Sequence, residues 1–249
     1  MKVKDIVEVL DVIAPFDGAC DWDNCGLMCG DPDDGVSRVL VTLDADMYAL
    51  ELALKHQCTA VVSHHPLIFD GLRSVTAAHP VYSYIKNGIA VISVHTCLDA
   101  ADGGINDLLA QAALIQDPQK LYMDGCALGR YGIAECKDPY EYIDAIKSRL
   151  PSNRADYLLS RPIKRAAVVS GSGGSAIELL KTYDCDTLIT GEAKHDHFLY
   201  AQNNGLNLIT LGHFETENII IEPLVSKMSQ MLVQTEFIGS DRTKFIKRR

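Results

Sequence analysis

The sequence predicts an α/β protein made of two similar α/β units, with largely parallel sheets and crossover helices. Three observations carry that expectation. Short β-branched runs alternate with helical patterns, as they do where parallel strands are joined by helices. The pattern of the first half returns in the second. The 249 residues exceed one average domain, and 47% hydrophobic with 22% charged residues is ordinary globular usage. That composition excludes disordered, collagen-like and coiled-coil chains.

Val3, Ile6, Val7, Leu10 and Ile13 recur at helical spacing and Pro15 ends the run, which predicts an N-terminal amphipathic helix. VLVTL (39–43), TAVVS (59–63) and IAVISV (89–94) read as buried strands, with helices over 47–56 and 79–87 between them. The stretch 126–160 is less regular and holds a Gly-rich strand candidate (128–135) and a helix over 140–150. The early plan then recurs. Arg38 to Cys58 and Arg165 to Cys185 are each 20 residues apart, and the segment ending at His95 parallels the one ending at His213 with one extra residue. This predicts a duplicated unit, with 1–125 as the first unit and 126–249 as the second. Pro66 to Ser74 is an insertion in the first copy.

The net charge of −10 argues against a chain that binds DNA or RNA polymers. The basic cluster from Arg242 to Arg249 reads as a solvated tail. Asp5, Glu8 and Asp11 interrupt the N-terminal apolar run, so it is neither a signal peptide nor a membrane span. A cytoplasmic location and no membrane association are expected. The eight cysteines then read as reduced thiols. The spacing of Cys20, Cys25 and Cys29 matches no common zinc or iron–sulfur pattern.

Six of the eight histidines fall just past predicted strand ends, where open α/β sheets collect ligands. His64 and His65 follow one strand; His95 and Asp99 follow the next. His195 and His197 follow strand 187–190, and His213 and Glu217 follow strand 206–211. Adjacent His64 and His65 should diverge in an extended backbone and so suit two metals. Glu217 lies four residues after His213, on one helical face. The expected site holds two divalent ions between the units. Its nitrogen and oxygen ligands suit zinc, iron, manganese or nickel, and a metal-bound hydroxide would supply hydrolytic chemistry. His195 and His197 are candidates for acid–base work or for capping the following helix. Ser170 to Gly174, a Gly-rich turn after a strand, is a weaker candidate for holding a phosphate.

These residues carry a resemblance. Trp22-Asp23-Asn24-Cys25-Gly26-Leu27, Ser63-His64-His65-Pro66, His95-Thr96-Cys97-Leu98-Asp99-Ala100-Ala101 with Gly104-Ile105-Asn106-Asp107, Gly129-Arg130-Tyr131-Gly132, Thr190-Gly191-Glu192 and Gly212-His213-Phe214-Glu215-Thr216-Glu217 resemble, in order, the motifs of the YbgI-like dinuclear metal proteins, the GTP cyclohydrolase 1 type 2 homologue family. The resemblance implies His64, His65, Asp99, His213 and Glu217 as metal ligands, with Glu217 bridging. Cys97 departs from the family's usual Asn and reads as a packing thiol. His95 matches no family ligand and is expected to orient Asp99 or a water.

The resemblance also implies a GTP cyclohydrolase-type opening of a purine nucleotide ring, and a toroidal homohexamer. The residues alone support no more than hydrolysis of a small molecule by two metals, with Glu217, His95 and His195 as catalytic candidates. The competing reading is a non-catalytic metal-binding interaction or regulatory protein.

Overall fold

The computed structural model describes residues 1–134, 136–150, 152 and 154–240. The last residue of the strand candidate 128–135 and the basic tail 242–249 lie outside the described residues. Eleven strands are present among those described: β1 (Gly26–Cys29), β2 (Arg38–Asp44), β3 (Ala60–His65), β4 (Ala90–Ser93), β5 (Gln116–Met123), β6 (Cys126–Ile133), β7 (Asp156–Leu158), β8 (Arg165–Val169), β9 (Thr187–Thr190), β10 (Asn207–Thr210) and β11 (Glu236–Gly239). They form two sheets, ordered β1-β4-β3-β2-β11 and β5-β6-β8-β9-β10-β7. Each sheet is the centre of one compact unit. Met1–Ala101 with residues 220–240 make the first, and Asp102–Ile219 the second.

In the first unit, β4, β3, β2 and β11 run parallel and β1 closes one edge antiparallel. β11 takes the open edge of β2, with Phe237 opposite Val39. The first unit is therefore not the continuous 1–125 stretch expected. The chain returns to it, because an unpaired edge beside β2 would leave a row of backbone groups without ladder partners. The crossover helices Met47–Lys55 and Pro80–Lys86 start on side-chain caps. Asp46 accepts from Ala49 N at 3.0 Å, and His79 accepts from Val81 N at 3.2 Å with Pro80 in the first turn.

In the second unit, β8, β9 and β10 are parallel, flanked by antiparallel β6 and β5 on one side and β7 on the other. Both faces of its parallel strands are buried. Ala166, Val168, Ile189 and Ile209 point into one apolar cluster, and Ala167, Val169, Leu188 and Leu208 into another. That is the two-residue alternation of a doubly covered sheet.

The internal repeat extends to backbone hydrogen bonds. Thr59 N donates to Arg38 O as Asp186 N does to Arg165 O, and Val94 N to Ser63 O as Leu211 N does to Thr190 O. The residues before Cys58 and Cys185 both take a left-handed conformation, Gln57 at φ 57° and Asp184 at φ 53°. Gly88 and Gly205 do the same at φ 64° and 63°, each ending a helix before the next strand. No helix among the described residues is long and apolar enough to cross a membrane.

Candidate metal centre

In the first unit the site is built at the C-terminal ends of β2, β3 and β4. His64 and His65 close β3, His95 follows β4, and Asp99 is buried on the short helix Thr96–Ala100. The rings of His64 and His65 lie 4.9 Å apart, and His64 is 5.0 Å from His95. The adjacent histidines thus do not diverge as an ideal strand requires. Pairing with β4 ends at Ser63 while pairing with β2 continues to His65, and the Ser63 hydroxyl donates to His65 O at 2.8 Å.

Each imidazole has its Nδ1 engaged. His64 Nδ1 meets Val94 O at 3.0 Å, which requires an Nδ1–H because a carbonyl only accepts. His65 Nδ1 meets Asp44 Oδ1 at 2.8 Å, and His95 Nδ1 meets Asp23 Oδ1 at 2.8 Å. In the neutral ring such bonds place the lone pair on Nε2. This is the arrangement in which a carboxylate or carbonyl behind a metal-binding histidine fixes its tautomer. Candidate ligand atoms of His64, His65 and His95 lie within 4.8 Å of one another.

The Asp23 side chain is fully buried and also accepts from Thr96 N at 2.9 Å. Burial opposes its charge, but the bonds from His95 and Thr96 outweigh that cost and hold its carboxyl far below the usual range. Burial likewise disfavours a charged His95, and the bond and charge of Asp23 reverse this, raising its pKa. The His95 ring is therefore oriented by Asp23. Sequence pattern assigned no role to Asp44, and Asp23 stood out only as part of the Trp22–Leu27 motif. Asp44 ends β2 and obeys the same strand-end rule that picked out the histidines.

Cys97 is 1% exposed, and its thiol donates to Cys25 Sγ at 3.4 Å. Six cysteines are free thiols, Cys25 and Cys97 among them.

In the second unit, His213 and Glu217 share one face of the helix His213–Glu217, with Nε2 3.1 Å from Glu217 Oε2. Glu192, after β9, approaches His213 Nδ1 at 3.3 Å. Glu217 is buried at 4% exposure. Glycines make room for this pair. A Cβ on Gly171 would overlap Glu217 Oε1 and stand 3.1 Å from His213 Nε2, and one on Gly191 would lie 2.8 Å from His213 Cα. A Cβ on Gly174 would overlap the His197 ring and come within 2.9 Å of Ala193 Cα. The glycines of the 170–174 loop thus accommodate close packing, and the loop leads into a 3-10 helix of seven residues instead of the α-helix a phosphate cradle would use. His197 accepts from Lys194 N at 3.2 Å and caps the helix His195–Asn204, whereas His195 is exposed on its first turn.

The family model for Duf34/NIF3 (NGG1p interacting factor 3) matches residues 1–244. The chain belongs to the Duf34/NIF3 family. A "GTP cyclohydrolase 1 type 2 homolog" of Clostridium perfringens is 30% identical to this NIF3-family chain over 98% of each protein. "Protein NIF3 homolog" of Schizosaccharomyces pombe is 31% identical, covering 87% of this chain and 84% of the relative. Among solved structures, reduced HcgD from Methanocaldococcus jannaschii superposes with a TM-score of 0.86 at 28% identity, over 97% of this chain and 98% of that one. The NIF3-family chain therefore carries histidine and carboxylate groups that can hold metal ions, on a fold its relatives share.

Proposed function

We propose that this chain is a dinuclear metal-dependent hydrolase acting on a small molecule, with GTP cyclohydrolase-type opening of a purine nucleotide ring as its reaction. The observation that carries this reading is that His64 and His65, side by side at the end of β3, each have Nδ1 occupied, by Val94 O and Asp44, because such pre-oriented imidazoles suit divalent ions. His64, His65, Asp99, His213 and Glu217 are the proposed ligands, for zinc, iron, manganese or nickel. Bound there, two such ions would supply an acidified water and polarise a substrate oxygen. Asp44 and Asp23 hold the rings of His65 and His95, Gly171 keeps the space in which Glu217 sits, and His195 is the proposed proton carrier. The names of the bacterial relatives support the nucleotide substrate. The resemblance adds a cytoplasmic homohexamer, which sedimentation tests.

The test combines elemental analysis, expected to read two ions per chain, with formate release from a nucleotide panel. Trp22 is the sole tryptophan, its ring 6.3 Å from that of His95, so its fluorescence reports metal binding without turnover. Turnover that survives Glu217→Ala would overturn the hydrolase reading. The family description, an interacting factor, favours a second reading as a metal-binding interaction protein. That reading expects metal uptake with no turnover on any nucleotide.

A further inference from the structure

We infer that Cys25 and Cys97 are a peroxide-oxidisable dithiol whose disulfide shifts His95 and the helix that carries the proposed metal ligand Asp99. The two sulfurs lie 3.4 Å apart, on residues 72 positions apart in sequence. A disulfide bond is ~2.05 Å long, so a little over one ångström of approach closes it. Both are free thiols, Cys25 half-buried and Cys97 buried. Cys25 is thus the sulfur a small oxidant reaches, and Cys97 the one that resolves it.

The chemistry is a two-electron oxidation by a hydroperoxide. The Cys25 sulfur attacks the terminal peroxide oxygen and the O–O bond breaks. The departing oxygen takes up the thiol proton and leaves as water or an alcohol, and Cys25 becomes a sulfenic acid. The Cys97 sulfur then attacks Cys25, the S–O bond breaks, and hydroxide leaves with the Cys97 proton as water. Two thiols are oxidised and one peroxide is reduced.

The pair is wired into the site. Cys25 Sγ donates to Asp23 Oδ2 at 3.2 Å and accepts from His95 N at 3.4 Å, while Asp23 holds the His95 ring. Cys97 sits between His95 and Asp99 on the helix Thr96–Ala100. Forming the bond removes the Cys25 proton that Asp23 accepts and draws the helix bearing Asp99, with His95 at its start, toward Cys25. The effect on metal rests on the proposed metal site; the bond itself does not.

The test treats the full-length protein with hydrogen peroxide and maps disulfides by peptide mass after alkylation. A Cys25–Cys97 linked peptide that disappears with dithiothreitol is expected, together with about tenfold weaker binding of Mn2+ or Zn2+ in the oxidised form. Cys25→Ser and Cys97→Asn should each abolish the linked peptide and make metal affinity insensitive to peroxide, with unchanged far-ultraviolet circular dichroism. Absence of the linked peptide, or pairing of Cys25 with the other thiols as often as with Cys97, overturns the dithiol. A linked peptide with unaltered metal affinity overturns the coupling. Absence of metal binding in the reduced protein counts against the metal reading and leaves the dithiol result standing.

Discussion

Replacing Gly171 by alanine adds one methyl group at the point where the second unit holds its proposed ligands. Gly171 has φ +57°, in the left-handed region, which costs an L-residue ~1–2 kcal/mol. For a chain of this size that lowers Tm by roughly 2–8 °C, at ~2–4 °C per kcal/mol. The larger effect is local. The new Cβ overlaps Glu217 Oε1 and lies 3.1 Å from Glu217 Cδ, so the carboxylate must retreat by about 1 Å, against the ~0.5 Å a binding constellation tolerates. Calorimetric titration of metal-stripped protein should therefore show a divalent-ion affinity ~10–100-fold weaker, the range seen when groups supporting a ligand are disturbed. Thermal melting of the same samples separates the two contributions. Wild-type affinity accompanied by the Tm loss alone would refute the reasoning, because Gly171 would then serve only its own backbone.

Asp44→Asn removes the carboxylate behind His65 and should weaken metal binding ~10–100-fold with little change in Tm, both groups being about 30% exposed; equal affinity in the two proteins would deny Asp44 its orienting role. Burial pushes the Cys58 thiol to about 11 and the Cys185 thiol to about 12. The folded chain then holds these protons more tightly than the unfolded one, whose thiols titrate near ~8.5. Stability should be intact below that pH and decline as pH rises through 11 and 12; urea melts from pH 8 upward check this, and a slope unchanged in Cys58→Ala/Cys185→Ala counts against it. The Arg130 side chain is 2% exposed and pairs with Asp107. Arg130→Met should cost about 3 kcal/mol in urea unfolding, the low end for a broken buried pair because Asp107 keeps some solvent; a loss below ~1 kcal/mol would show the pair to be structurally idle.

Much of this protein was legible from local pattern. Strands β2, β3, β4, β9 and β10 lie within a residue or two of their expected limits, because buried parallel strands announce themselves as short apolar runs. The histidines and carboxylates past those strands stood out for the same reason. What escaped was pairing at the sheet edges. β5 is polar, with Pro118 inside it, and carries no apolar run. Its partnership with β6 was nonetheless written in Asp124-Gly125, whose φ values of 50° and 85° make the tight hairpin between Met123 and Cys126. β11 gave no such sign, since only the open edge of β2 selects it.

By itself the sequence determined the α/β class, the duplicated plan and the candidate ligands, all properties of residue type and short spacing. Only the tertiary structure decided which carboxylate stands behind which ring: Asp44 with His65, 21 residues apart, and Asp23 with His95, 72 apart. It also decided that Cys97 meets Cys25 and that the glycines of loop 170–174 give their space to Glu217, His213 and His197. Such contacts join strand ends brought together by sheet order, and sheet order is set by summed burial and ladder bonding across the unit, which no local window contains.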